Sequence, residues 1–310
     1  MNAIEVKNLT RKFGSFISVD NISFSVKSGE IFGFLGANGA GKSTTIKMLC
    51  GMLEPTSGDA IVGGYSIKKE SDNVKKNIGY MSQRFSLYND LSVIENIMFF
   101  AGVYGLEGEL LKERIDWVLK IANLEGKENI LTASLPGGIK QRLALGTAVI
   151  HQPKIVFLDE PTSGVDPISR RSFWDLINDL SSQNITVFVT THYLEEAEFC
   201  HNIILINAGK LIAEGNPKEL KTKYLKKKIL EIQAAPVNKT IEILNNSEFV
   251  DDTSIFGNNI HSVMNEKYTG KEQVFELLQK EPQININRID EIVPTLEDVF
   301  IHLLEKKELQ

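Results

Sequence analysis

Short apolar-patterned runs at residues 4–9 and 22–26 read as strands, with the turn Arg11-Lys12-Phe13-Gly14-Ser15 between them. Ile31-Phe32-Gly33-Phe34-Leu35 is continuously apolar and predicts a buried strand. Gly58–Val62 and Ile78–Gln83 predict two more, and Gln83 opens the polar stretch Arg84-Phe85-Ser86-Leu87-Tyr88. From 92 to 150 the pattern turns helical. Leu111, Ile115, Val118, Leu119 and Ala122 recur at helical spacing within Glu109–Leu124, which predicts a core-packing face. This segment therefore reads as an all-helical insertion on an α/β core.

Strands return at Lys154–Leu158, apolar enough to be buried on both faces, and at Ile185–His192, with a helix at Arg171–Leu180 between them. After Gly215-Asn216-Pro217 comes a lysine-rich helix. Then follow strand 229–234, helix 238–245, strands 250–256 and 259–265, helix 270–280, strand 284–291 and helix 295–306. That order predicts a small split βαβ-like α+β domain. The expected division is 1–216 and 217–310, with a helical subdomain at about 84–150.

At 310 residues the chain exceeds one small core. Its net charge of −6 leaves no electrostatic footprint for nucleic acid, so no nucleic-acid partner is expected. Cys50 and Cys200 form no C-x-x-C pair and read as buried reduced thiols. No stretch approaches the roughly 18 uninterrupted apolar residues of a membrane span. Val93–Leu106 comes nearest and contains Glu95 and Asn96. Met1-Asn2-Ala3-Ile4-Glu5 enters a strand pattern directly, without the pattern of a signal peptide. If the protein serves a membrane, another chain is expected to cross it. Lys218, Lys221, Lys223 and Lys226–Lys228 read as a solvated linker face or as contacts for anionic headgroups.

The densest chemistry lies in Gly36-Ala37-Asn38-Gly39-Ala40-Gly41-Lys42-Ser43-Thr44, a G-x-x-x-x-G-K-S run between a predicted strand and a predicted helix start. Glycines at 36, 39 and 41 are expected to adopt torsions closed to other residues and turn backbone N–H groups inward as an anion nest. The helix N-terminus behind them adds donors and partial positive charge. Lys42 is expected at the β- and γ-phosphates, Ser43 on Mg²⁺ and Thr44 on a phosphate.

Five further places carry chemistry that suits a phosphate or a base attached to it. Asp159 and Glu160 end a buried strand, where open parallel sheets bind ligands. Asp159 suits Mg²⁺ through its water shell, and Glu160 suits acceptance of a proton from an attacking water. His192 ends the next strand and is expected to reach the γ-phosphate. Gln83 reads as a holder of a Mg²⁺-bound water or as a solvated loop residue. Phe13 reads as a stacking face for a nucleobase or as a turn residue folded into the local core. Gly137 and Gly138, after Leu135 and Pro136, present bare donors at a helix start.

Taken in this order, the segments resemble the nucleotide-binding subunit of an ATP-binding cassette (ABC) transporter over roughly residues 1–216. The resemblance implies a P-loop α/β cassette with a RecA-like core, an antiparallel β subdomain and the helical insertion, using ATP and Mg²⁺. By motif, Phe13 resembles the adenine-stacking aromatic and Gly36–Thr44, with Asn38 and Ala40, the Walker A loop. Gln83 resembles the Q-loop glutamine that senses the membrane partner. Asp159 and Glu160 resemble the Walker B aspartate and catalytic glutamate, Asp166 the D-loop aspartate, and His192 the switch histidine. One segment departs: the family's Leu-Ser-Gly-Gly-Gln reads Leu135-Pro136-Gly137-Gly138-Ile139, and Pro136 lacks both a hydroxyl and an N–H.

The ending Pro294-Thr295-Leu296-Glu297-Asp298-Val299-Phe300 and the stretch Gln83–Leu106 are similar to exporter cassettes of the drug-resistance, daunorubicin-type branch. The resemblance thus implies an ATPase subunit, peripheral on the cytoplasmic face of the membrane, that drives an integral membrane permease. Two cassettes, as a homodimer or a heterodimer, would sandwich ATP between the phosphate loop of one and the Leu135, Gly137 and Gly138 segment of the other. The small domain is expected to stabilise that dimer or regulate it. The alternatives are a soluble ABC protein acting on ribosomes or DNA, and a regulatory subunit that holds ATP but hydrolyses it weakly. The first usually has a second cassette or a long coiled coil, and only Pro136 supports the second.

Overall fold

The computed structural model describes residues 1–83, 87–224 and 227–308, and it divides into two compact units, Met1–Pro217 and Lys218–Gln310. The readings of Arg84, Phe85 and Ser86 as loop and of Lys226 as part of the lysine cluster fall outside the described residues.

In the first unit, β1 (Asn2–Phe13) and β2 (Phe16–Lys27) form a hairpin turned at Gly14-Ser15. The strands outrun the apolar runs at 4–9 and 22–26. Register shifts keep them paired through the polar stretch, as far as Phe13 opposite Phe16. Main-chain pairing needs no apolar side chain, so a hydrophobicity pattern underestimates such ends. β3 (Ile31–Leu35), buried at all five residues, leads into α1 (Lys42–Leu49). β4 (Ser57–Val62) and β5 (Tyr65–Ser66) extend the hairpin into an antiparallel sheet of order β2-β1-β4-β5.

α2 (Ser71–Asn77) and β6 (Ile78–Met81) come next, so the strand stops short of Gln83. The insertion holds α3 (Val93–Val103), α4 (Gly108–Ile121) and α5 (Gly137–Ala148). Val118, Leu119 and Ala122 of the expected stripe are buried, while Leu111 and Ile115 are half-buried. Arg114 is also buried, which the stripe did not foretell. Its Nε donates to Ile150 O at 2.9 Å and its guanidinium lies over the Trp117 ring, so it serves the carbonyls that close α5.

β7 (Ile155–Asp159), α6 (Pro167–Ser182), β8 (Thr186–Thr191), β9 (Asn202–Asn207) and β10 (Lys210–Gly215) complete this unit. The second sheet runs β10-β9-β3-β8-β7-β6, parallel throughout except for the β9–β10 hairpin. One core joins both sheets to α1. Phe24 of the hairpin packs among Phe32, Phe34 and Phe188, and Phe157 closes on Phe188, with ring centroids 5.4–6.2 Å apart. Burial of each such ring stabilises by about 1.5–3 kcal/mol, which fixes the strands that carry the site. Cys50 and Cys200 are free and buried, and burial pushes both thiols up.

The second unit contains α7 (Pro217–Tyr224), β11 (Ile229–Ala235), α8 (Val237–Asn245), β12 (Val250–Phe256), β13 (Asn259–Met264), α9 (Lys271–Gln279), β14 (Asn285–Ile292) and α10 (Leu296–Glu308). Its sheet, β12-β13-β11-β14, is wholly antiparallel, the split βαβ arrangement expected from the element order. Leu230, Ile232 and Ala234 of β11 pack with Leu244, Val274 and Leu278 of α8 and α9. Ile229 belongs to a separate cluster with Val299 and Leu303 of α10. Lys227 pairs with Asp251, and Lys228 lies 3.1 Å from Glu291, so these two lysines are tied to the sheet rather than free. Among the described residues no helix is long and apolar enough to cross a membrane.

Candidate functional site

Parallel register brings the chemistry together. Leu35 at the end of β3 lies opposite Thr191, Asp159 lies opposite Thr190, and Met81 lies opposite Leu158. The carboxyl ends of β3, β8, β7 and β6 therefore stand side by side. They carry, in that order, the phosphate loop, His192, Asp159-Glu160 and Gln83.

Glu160 is the point of convergence. Its Oε1 is 3.2 Å from Lys42 Nζ, while Oε2 accepts from Gln83 Nε2 at 2.9 Å and meets His192 Nδ1 at 3.2 Å. The residue has φ 48°, in the left-handed region, which takes it out of the strand. Its N–H donates to Thr190 O, at 3.1 Å, and contacts Thr190 Oγ1.

Within the phosphate loop, Lys42 Nζ also donates to Gly36 O at 2.8 Å and Ala37 O at 3.2 Å. Gly39 and Gly41 adopt φ of 80° and 106°, as expected. Gly36 departs from the expectation, since it is absent from the positive-φ residues of the chain. Glycine is needed there for space: an added Cβ would run into the carbonyl oxygen of Ile206 on β9. Asn38 and Gly39 are exposed at the tip of the loop, and Ala40 is buried beneath it. Thr44 Oγ1 accepts from Ser18 Oγ at 2.9 Å, which ties the helix start to β2. Ser18 escaped the sequence reading because nothing local marks it.

Asp159 is buried, and its Oδ1 accepts from Thr190 Oγ1 at 2.7 Å and Ser43 Oγ at 3.1 Å. Burial raises its carboxyl above the usual range even though both hydroxyls pull the other way. Thr190 thus serves both acids at once. The signal for it was weak: Thr190 is one of three threonines in Thr186–Thr191, set apart only by its place one residue before the end of the strand.

The remaining expected residues lie outside this contact set. Phe13 is 47% exposed, with the Arg11 guanidinium carbon 4.6 Å from its ring centroid, so it is not folded into a local core. Asp166 caps α6, accepting from the N–H groups of Ile168 and Ser169. The Ser169 side chain first, and then those N–H groups, hold its carboxyl below the ordinary range. Leu135 is buried, Pro136 is the N-cap of α5 without a side-chain cap, and Gly138 abuts Ser169 of α6.

The model of the ABC transporter domain matches residues 19–163, and that of the C-terminal domain of ATP-binding protein DrrA1-3-like matches residues 215–304. The linearmycin resistance ATP-binding protein LnrL of Bacillus subtilis (strain 168) is 34% identical over 304 residues, 97% of either chain. The chain belongs to the ABC transporter family. The first match contains the phosphate loop, Gln83, Leu135–Gly138 and Asp159-Glu160, whereas Phe13, Asp166 and His192 lie outside it. Another ABC relative, the probable multidrug ABC transporter ATP-binding protein YbhF of Escherichia coli (strain K12), is 53% identical over 218 residues. That match spans 70% of this chain but only 38% of YbhF. Among solved structures, the dimeric ABC cassette MJ0796 bound to ADP and Pi aligns with a TM-score of 0.63 at 28% identity. It covers 69% of this chain and 98% of that one. The P-loop cassette fold is thus as the motif order implied, and the drug-resistance branch as the ending Pro294–Phe300 and the stretch Gln83–Leu106 implied.

Proposed function

We propose that this ABC protein binds and hydrolyses ATP to drive an exporter, as a peripheral subunit on the cytoplasmic face of an integral membrane permease. The observation that carries the reading is the position of Glu160, held at once by Lys42, Gln83 and His192 beside the phosphate loop. Three strand tips and a loop are needed to assemble that contact set, and a strand-capping acid would need none of them.

Backbone donors of Gly39, Gly41 and Lys42 cradle the phosphates, and Lys42 Nζ carries the charge to the β- and γ-oxygens. Glu160 orients a water and accepts its proton as the water oxygen bonds to the γ-phosphorus and the bond to the bridging oxygen breaks. His192 holds the γ-phosphate from the neighbouring strand tip, and the exposed Phe13 ring stacks on adenine. The donors at Ser43 and Asp159 fit Mg²⁺, being a hydroxyl and a carboxylate whose oxygens already lie 3.1 Å apart. Among the described residues no group of three or more His, Cys, Asp or Glu is placed to hold a metal. Ser43 and Asp159 would hold the ion directly or through its water shell, and Gln83 would hold one of its waters. When bound, Mg²⁺ neutralises charge on the β- and γ-phosphate oxygens.

Two cassettes, identical or related, close head-to-tail so that the Leu135, Gly137 and Gly138 segment of one meets the nucleotide of the other. The names of LnrL and YbhF, which speak of linearmycin resistance and multidrug transport, favour an exporter. α3 supports a permease contact, because it turns Met98, Phe99 and Val103 to solvent beside the exposed Tyr88. The test is purification from native membranes followed by an ATPase assay with and without the co-purifying protein. An integral membrane protein that raises turnover is expected. Full turnover with no bound membrane protein would overturn the exporter reading.

A further inference from the structure

His192 is held on two sides, and the second side has no part in the chemistry described so far. Besides the Glu160 contact, the Tyr193 ring lies against the His192 ring, with centroids 4.1 Å apart and planes tilted at 37°. Over Tyr193 sits the guanidinium of Arg170, its carbon 4.2 Å from the ring centroid. Arg170 is itself anchored. Its Nε lies 3.6 Å from Oε1 of Glu196, which is 2% exposed and also accepts from Thr162 Oγ1 at 2.6 Å. A planar cation over an aromatic face is attractive and directional, which lysine reproduces only in part.

Arg170 stands in the first turns of α6, and that part of the helix carries two other features. Asp166 caps it through Ile168 and Ser169, and the Arg170 N–H donates to Asp166 O at 2.9 Å. Ser169, one residue before Arg170, lies against Gly138, where a single added Cβ would come within 2.5 Å of the serine side chain. One rigid helical turn therefore touches the start of α5, bears Asp166, and presses through Arg170 and Tyr193 on His192.

We propose that Arg170 and Tyr193 are positioning residues that set the His192 ring against Glu160 and pass movement of the α6 N-terminus to it. The inference rests on the proposed ATPase reading, in which the segment with Gly138, packed against Ser169 of α6, meets the second nucleotide. Closure at that surface is then transmitted within the same chain to the histidine of its own site. In this assignment neither residue serves to bind ATP, so their loss should lower kcat and leave ATP affinity in place.

The test is a set of full-length variants, Tyr193→Leu, Tyr193→Phe, Arg170→Ala and the double variant Arg170→Ala/Tyr193→Leu, alongside Glu160→Gln. Tyr193→Leu and Arg170→Ala should each reduce kcat by about ten- to a hundredfold with KM for ATP unchanged, the upper figure being the cost of misplacing a catalytic group by about 1 Å. Tyr193→Phe, which keeps the ring face, should restore wild-type kcat, and the double variant should be no worse than either single one. A second readout does not need turnover. In protein labelled at histidine, both Arg170→Ala and Tyr193→Leu should move the His192 ring signals, because the adjacent tyrosine ring shifts them. Additive losses, an unchanged kcat in Tyr193→Leu, or His192 signals indifferent to Arg170→Ala would each overturn the relay. A wild-type protein without ATPase activity would instead sink the ATPase reading, and the histidine signals would still decide the relay.

Discussion

Lys42 Nζ and Glu160 Oε1 lie 3.2 Å apart, with the two side chains only 4% and 6% exposed. A phosphate that takes up the lysine charge competes with the carboxylate for it, and so leaves Glu160 to its contacts with Gln83 and His192. On the proposed roles, substrate binding and the readiness of Glu160 as base are linked through a single ammonium group.

Replacing Glu160 by Gln removes the competitor without removing volume. Phosphate release should fall by at least 10²-fold, the usual scale for loss of a general base. ATP binding should be retained or tightened, and ATP-bound dimer should accumulate. Single-turnover phosphate release and equilibrium nucleotide binding check this, and near-normal turnover would remove Glu160 from its role. Lys42→Ala behaves differently, because it leaves a buried carboxylate without its cation. A loss of about 3–5 kcal/mol in stability is expected by denaturant unfolding, in addition to lost nucleotide binding.

The phosphate-loop glycines should separate by mechanism. Gly36→Ala drives a Cβ into the Ile206 carbonyl, a backbone group held in β9 that cannot rotate away. Gly39→Ala meets nothing within 4 Å and bears only the strain of φ 80°, about 1–2 kcal/mol. Urea unfolding should therefore show Gly36→Ala as the more destabilised of the two. The reverse order would mean that torsion, not the neighbouring strand, fixes Gly36.

This contrast also marks how far the sequence could be read. Most strands of the first unit, the helical insertion and the order of the small domain were legible because each is written in local periodicity, whereas β5, β9 and β10 were not read. Lys42, Asp159, Glu160 and His192 were legible because glycines, acids and a histidine stand at the ends of apolar runs. What makes Gly36 a glycine comes from Ile206, 170 residues away, and the partners of Asp159 and Thr44 are Thr190 and Ser18 on other strands. Arg170 and Tyr193 meet only once α6 packs beside β8. Local pattern gives the elements, and tertiary register gives these pairings.

Pro136 is the N-cap of α5, and no side chain caps the first N–H groups of that helix, although Lys140 N–H donates to Pro136 O. A serine hydroxyl there can accept from the N–H of N2 or N3, a contact worth about 0.5–2 kcal/mol. Pro136→Ser should therefore raise thermal stability whatever it does to turnover. If the proline also weakens contact with the facing nucleotide, the same change should increase the ATPase rate. Stability raised with an unchanged rate would show that the serine serves α5 and is dispensable for hydrolysis here.

The small domain carries its own titration. His261 on β13 is buried, with Nδ1 2.9 Å from Asp298 Oδ1 on α10, Nε2 3.5 Å from Glu231 Oε2 on β11, and Phe256 stacked on its ring. Burial alone would lower the imidazole, but the bonds and charges of Asp298 and Glu231 outweigh it and raise the histidine above its ordinary value. Burial likewise pushes Asp298 up, yet His261 and the N–H and hydroxyl of Thr295 bring its carboxyl below the usual range. Stability from the raised histidine is complete below its unfolded value of about 6.5 and is lost as pH rises through the folded one. Stability from the lowered aspartate is present above about 3.9 and is lost as pH falls through its folded value. The α10 contact should therefore be firmest between those limits and loosen on both sides. Amide hydrogen exchange of α10 and β13 in the full chain, followed across pH, should show protection falling on the alkaline side in the wild type. His261→Gln should remove that alkaline dependence while leaving the acid one, and an alkaline limb that persists in the variant would assign it to another group.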